Sequence, residues 1–175
     1  MKQQKEHIFL IGFMGVGKSS TSRELSRLLK VQEIDTDAMI VAQEKREISV
    51  IFAEEGEEYF RKTETALLDR LREWKPCIVS CGGGMVMREE NVRKMKEQGK
   101  IYLLTATPET IYEHVKNSTN RPLLNGNMNV PYIKELMAAR EPKYMAAADV
   151  VIETDGCTPA EVAEKLIACM DNQCL

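Results

Sequence analysis

The sequence predicts a parallel α/β sandwich, a sheet of five strands covered by helices on both faces. Three observations carry that expectation. Short, near-continuous apolar runs recur at residues 7–11, 31–34, 77–80, 101–104 and 150–153, the pattern of strands whose two faces are both covered. Amphipathic stretches of helical period lie between them, at 19–29, 38–45, 48–73, 89–97, 108–116, 130–140 and 159–170. The two kinds alternate without an internal repeat or a linker. That order favours crossover connections and one three-layer αβα domain over residues 1–175, with ligands at the C-terminal ends of the strands.

Size and charge narrow the classes. A chain of 175 residues is about one domain and buries roughly 68–70% of its unfolded surface, enough for a core without staples. The 24 Lys and Arg nearly balance 27 Asp and Glu, leaving −3, so no basic excess exists for a nucleic-acid backbone. Lys2 and Lys5 precede an apolar run, but Gly12, Gly15 and Gly17 break it as no signal peptide does. No stretch reaches the roughly 18 apolar residues of a membrane span. Five cysteines, an odd number with no Cys-x-x-Cys, and only His7 and His114 make a zinc cluster improbable and point to reduced thiols. The expectation is a soluble, cytoplasmic monomer.

The first strand runs directly into Gly12-Phe13-Met14-Gly15-Val16-Gly17-Lys18-Ser19, and a helix follows. This is the phosphate-binding pattern G-x-x-x-x-G-K-[ST] in its required strand–loop–helix setting. The glycines let successive N–H groups turn toward phosphate oxygens, and the helix N-terminus adds its dipole. Lys18 can reach the β- and γ-phosphates, and the Ser19 hydroxyl can ligate Mg²⁺. A glycine-rich turn that binds nothing is the plain alternative, and the context disfavours it.

The second strand ends at Asp35-Thr36-Asp37. Carboxylates at i and i+2 on a strand point the same way, here toward the cleft. One can hold Mg²⁺ beside Ser19; the other can accept a hydroxyl proton from an acceptor. The alternative is a turn in which Asp37 caps the next helix. The long helical region carries Phe52, Gly56, Phe60, Arg61 and Glu64. Arg61 and Glu64 share a helix face, so a surface ion pair competes with a guanidinium fork for a substrate carboxylate, with Phe52 and Phe60 as apolar walls.

After the third strand, Gly82-Gly83-Gly84 allows a ligand to approach the backbone. The fourth strand leads to Thr107-Pro108, a helix start repeated at Thr158-Pro159 with Glu161 as the capping acid. Residues 117–129 lack periodicity and hold five asparagines around Arg121-Pro122-Leu123-Leu124, the composition of a lid or binding loop. Arg121 there is either solvated or swings onto a transferring phosphoryl group. Arg140 stands just before Pro142, where a helix end and its dipole would suit a cation.

In order and spacing, these motifs resemble the shikimate kinase family over nearly the whole chain. The resemblance implies the nucleoside monophosphate kinase-like P-loop fold, with strands in the order 2-3-1-4-5, substrate-binding helices at about 38–73 and a mobile lid at about 117–130. It implies transfer of the ATP γ-phosphoryl group to the 3-hydroxyl of shikimate, with Mg²⁺, in the pathway to chorismate and aromatic amino acids. ATP phosphates would lie on Gly15, Val16, Gly17, Lys18, Ser19 and Ser20, with Arg121 reaching them from the lid. Ser19 and Asp35 would serve the metal. Asp37 would bind ring hydroxyls and act as base, Arg61 and Arg140 would clamp the carboxylate, and Gly83 and Glu64 would complete the substrate site. Lys18, Asp37 and Arg121 would be the catalytic residues.

Four positions depart from the family pattern. Ser20 stands for a threonine, Lys45 and Glu47 for a glycine turn and a serine cap, and Lys143 for an apolar residue. The arginine that stacks on adenine has no match, and His114 or Lys116 is the nearest candidate. Another small-molecule kinase or a nucleotide switch is the competing reading. The triple glycine and Asp37 favour a polyhydroxylated acid over a nucleotide acceptor.

Overall fold

The structure is a computed structural model that describes residues 5–118, 124 and 126–172. Its strands are β1 (His7–Ile11), β2 (Glu33–Asp35), β3 (Ile78–Ser80), β4 (Gly99–Thr105) and β5 (Val150–Glu153). The helices are α1 (Lys18–Leu29), α2 (Thr36–Glu44), α3 (Ile48–Leu71), α4 (Glu89–Gln98), α5 (Pro108–Val115), α6 (Val130–Ala147) and α7 (Pro159–Asn172). One parallel sheet runs in the order β2-β3-β1-β4-β5, as expected.

β1 is central because every one of its residues is buried. Its Leu10 faces Ser80 of β3 on one side and Tyr102 of β4 on the other. Ile8, Phe9, Leu10, Val79, Ile101 and Leu103 form the heart of the main core. Burying each such side chain contributes roughly 1.5–3 kcal/mol. His7 is buried beside this core. The Cys77 N–H donates to its Nδ1 at 3.1 Å, so Nε2 carries the proton and donates to the Leu71 carbonyl at 3.0 Å.

Helix ends follow the sequence grammar. The Thr107 hydroxyl accepts from Thr110 N at 3.3 Å. Thr158 and Glu161 form a reciprocal capping box, Thr158 N to Glu161 Oε2 at 2.7 Å and Glu161 N to Thr158 Oγ1 at 3.3 Å. α3 is bent at Gly56, whose φ of 83° and ψ of 169° interrupt the helix. Under α2 and α3 lies a second apolar cluster of Ile40, Ile51, Phe60 and Leu67. Phe60 is therefore core, with the half-buried Phe52 ring packed on it at 5.0 Å between centroids.

Two expectations are corrected. α6 does not stop at Arg140 but continues through Pro142 to Ala147. An interior proline costs about 3 kcal/mol. Burial of Tyr144 and Ala147 beyond it, and a Tyr144 hydroxyl bond to the Gly83 carbonyl at 2.5 Å, offset that cost. Asp35 and Asp37 are also not two residues of one strand. β2 ends at Asp35 and α2 begins at Thr36. Asp35, not Asp37, is the N-cap, its Oδ1 accepting from Ala38 N at 3.1 Å. Aspartate suits that position because its short side chain meets an otherwise unpaired helix N–H.

Candidate active site

The chain leaves β1 into the glycine loop with positive φ at Gly12, Gly15 and Gly17, respectively 147°, 80° and 99°. A Cβ at Gly15 would meet Val115 Cγ1 at 2.5 Å, so α5 can press on the loop only over glycine. Lys18 opens α1 and folds back, its ammonium donating to the carbonyls of Gly12 at 2.7 Å and Phe13 at 3.1 Å. His114 Nδ1 lies 2.7 Å from the Gly15 carbonyl, which ties α5 to the phosphate loop. Lys116 pairs with Glu113 at 2.5 Å.

A cleft of about 450 Å³ opens above this loop. Residues 14–21 form one wall, with Asp35, Asp37 and Gly82-Gly83 at one end and Thr154, Cys157 and Pro159 at the other. A larger groove, about 570 Å³ between α4 and α6, shares none of these residues.

The Ser19 hydroxyl donates to Asp35 Oδ2 at 2.8 Å and lies 3.4 Å from the Ser80 hydroxyl. The parallel register places Ser80 beside Asp35. A hydroxyl and a carboxylate in contact are hard oxygen donors, the type that Mg²⁺ prefers. Among the described residues no group of three His, Cys, Asp or Glu could hold a metal ion. An ion here would take few protein ligands and fill its sphere with phosphate oxygens and water, as Mg²⁺ characteristically does.

The triple glycine is the wall on which the second half of the site is built. A Cβ on Gly82 would lie 2.5 Å from Asp37 Oδ1 and 3.1 Å from Glu64 Oε1. One on Gly84 would collide with the Arg61 guanidinium, which lies flat against that residue. The missing side chains are what admit two carboxylates and an arginine to this surface. Gly82 N donates to the buried Thr36 hydroxyl at 2.8 Å, which holds the loop against the start of α2.

Arg61 Nη1 donates to Glu64 Oε2 at 2.7 Å. Its Nε and Nη2 donate to Glu57 Oε1 at 3.2 and 3.0 Å. Glu64 is fully buried, and its Oε1 has no hydrogen-bond partner. Burial pushes its carboxyl up to about 7, against the opposing Arg61 charge and with help from Asp37. Arg61 itself is pulled down by burial, yet Glu64 and Glu57 together raise it above the usual guanidinium value.

Arg140 enters from α6, its Nη1 3.8 Å from the point a Gly83 Cβ would occupy. Tyr144, one turn on, is pushed up by burial and opposed by both Arg140 and Arg61. The two guanidiniums therefore converge on this tyrosine.

Lys18, Ser19, Asp35, Asp37 and Gly83 thus share one cleft, and Arg61, Glu64 and Arg140 meet across the triple glycine. Arg121 lies outside the described residues. Sequence reasoning missed Glu57, Thr36 and Ser80 and gave Tyr144 no role. Glu57 and Arg61 are four apart on one helix, as are Arg140 and Tyr144, and that spacing was the available signal. Thr36 and Ser80 carry none.

The model of the family described as shikimate kinase matches residues 14–171. The chain belongs to the shikimate kinase family. The shikimate kinase of Thermodesulfovibrio yellowstonii is 41% identical over 162 residues, covering 93% of each chain. A structure of shikimate kinase from Acinetobacter baumannii in complex with shikimate superposes with a TM-score of 0.92 at 29% identity, covering 98% of this chain and 96% of that one. The shikimate kinase from Aquifex aeolicus gives 0.83 at 34% identity, covering 97% and 98%.

Within this shikimate kinase family member the departures resolve structurally. Lys45 ends α2 with φ 53°, the left-handed conformation for which glycine is suited. Glu47 precedes α3 in extended conformation and gives it no side-chain cap. Arg46 between them bridges Glu44, Glu54 and Glu55 at 3.0, 2.8 and 3.2 Å, tying the two helices together. Ser20 lines the cleft, and Lys143 faces Glu89 at 3.5 Å.

Proposed function

We propose that this chain moves the γ-phosphoryl group of ATP onto the 3-hydroxyl of shikimate, giving shikimate 3-phosphate and ADP in chorismate and aromatic amino acid biosynthesis. The observation that carries the reading is the placement of Asp37. It stands at the end of the nucleotide cleft and against Gly82, within reach of the arginine side of the wall. A hydroxylated acid held by Arg61 and Arg140 would present a hydroxyl to that carboxylate.

The division of labour follows from the residues. Backbone N–H groups over residues 15–20 bind phosphate oxygens, and Lys18 exchanges its carbonyl partners for the β- and γ-phosphates. Arg61 and Arg140 grip the carboxylate, which fixes the ring, while the Gly83 backbone and Glu64 complete its surroundings. Asp37 accepts the hydroxyl proton as the oxygen attacks the phosphorus. Ser19 and Asp35 would hold Mg²⁺, which when bound neutralises charge on the β- and γ-phosphates. Arg121, which lies outside the described residues, would supply a further cation to the transferring phosphoryl group. The enzyme works as a cytoplasmic monomer, where ATP is available and thiols remain reduced.

ADP release measured with and without shikimate tests the function. Turnover depends on the acid, and Asp37→Asn lowers kcat by about 10²–10⁴. Slow hydrolysis indifferent to shikimate would return the chain to the nucleotide switches, and a near-normal kcat in the variant would remove Asp37 as base.

A further inference from the structure

Arg61 is not waiting empty for an acid. The guanidinium offers five N–H donors, and its side-on pair, Nε–H with one Nη2–H, is the fork that best fits a carboxylate. Glu57 Oε1 already takes both donors of that fork, at 3.2 and 3.0 Å. Glu64 holds Nη1 at 2.7 Å. These two partners differ in one respect that decides their roles. The Glu64 side chain is 0% exposed and the Glu57 side chain 64% exposed. Removing Glu64 would strand a buried charge, whereas Glu57 can swing into water at small cost.

We infer that Glu57 is an exchangeable stand-in for the substrate carboxylate, occupying the Arg61 fork in the free enzyme and leaving it when the acid binds. The inference rests on the reading that Arg61 holds the acid. One carboxylate replaces another, so the charge around Arg61 is the same before and after. The guanidinium stays aimed and flat against Gly84 throughout, because Glu64 does not let go. A tethered carboxylate also competes at high effective concentration. Small free anions are therefore kept off the fork, while a ligand whose ring is held by other groups displaces Glu57. The consequence is a lower net affinity for the acid than Arg61 could provide.

Glu57 has a plainer possible role. It follows the bend at Gly56 and opens the second segment of α3, where an acid suits the helix dipole. It could also merely brace Arg61. These alternatives predict the opposite sign. Calorimetry of shikimate binding to the wild-type chain, Glu57→Gln and Glu57→Ala separates them, with ADP binding measured on each as a control for damage. Displacement predicts that both variants bind shikimate about two- to fivefold more tightly, the worth of an exposed ion pair, with ADP affinity unchanged. Unchanged or weaker shikimate binding in the variants overturns the inference and leaves the function intact. Failure of the wild-type chain to bind shikimate, while ADP still binds, sinks the functional reading and this inference with it.

Discussion

Glu64 shows what a single residue can report. Its carboxyl is pushed up to about 7, first by burial and then by Asp37, while Arg61 and, less strongly, Arg88 pull the other way. Its reference value is 4.5, so the native state binds the proton more tightly than the unfolded chain does. A carboxyl shifted in this direction stabilises at low pH, and the benefit disappears as pH rises from about 4.5 through about 7. Above that window the difference is flat. Stability of the wild-type chain relative to Glu64→Gln should therefore fall between pH 5 and 7, by about 2 kcal/mol, and stay nearly level from 7 to 9. Denaturant unfolding at each pH measures this. A difference constant from pH 5 to 9 would mean that Arg61 keeps Glu64 ionised throughout.

At the scale of elements, Gly56 bends α3 and so sets the direction of the segment that carries Arg61 and Glu64. Its φ of 83° and ψ of 169° fall in a region essentially reserved for glycine. No atom lies within 4 Å of where its Cβ would be, so Gly56→Ala introduces backbone strain and nothing else. The variant should lose about 1–3 kcal/mol and show a raised KM for shikimate with little change for ATP. Thermal unfolding and steady-state kinetics check both, and a neutral substitution would place the origin of the bend in the Arg46 bridges. Among the described residues, the order and kind of the strands and α-helices were legible because buried parallel strands and amphipathic helices differ in period. The glycine loop was legible because its chemistry is contiguous in sequence. The bend, the passage of α6 through Pro142 and the capping role of Asp35 were not. Each depends on a partner distant in sequence or on a backbone angle that no residue type declares. Tyr144 holds α6 to Gly83 across 61 residues of chain, and periodicity cannot see such a contact.

The whole molecule consists of a sheet that carries the phosphate loop and a smaller apolar cluster under α2 and α3 that supports Arg61 and Glu64. Gly82, Gly83 and Gly84 stand between the two halves of the site. Lys18 donates to the carbonyls of its own loop, while the groups proposed to bind the acid lie on α2, α3 and α6. Ligands that bind only the native state stabilise it by about 2.7 kcal/mol at a hundredfold excess over Kd. For a chain of this size each kcal/mol is worth roughly 2–4 °C. Shikimate and ADP, each near that concentration, should separately raise Tm by about 5–10 °C. On the proposed reading, in which the ammonium and the guanidiniums serve different ligands, Lys18→Met should abolish most of the ADP shift and leave the shikimate shift in place. Thermal scans of the variant with each ligand decide the matter. Loss of the shikimate shift alongside the ADP shift would place the acid on the phosphate loop, and the two halves of the site would then be one.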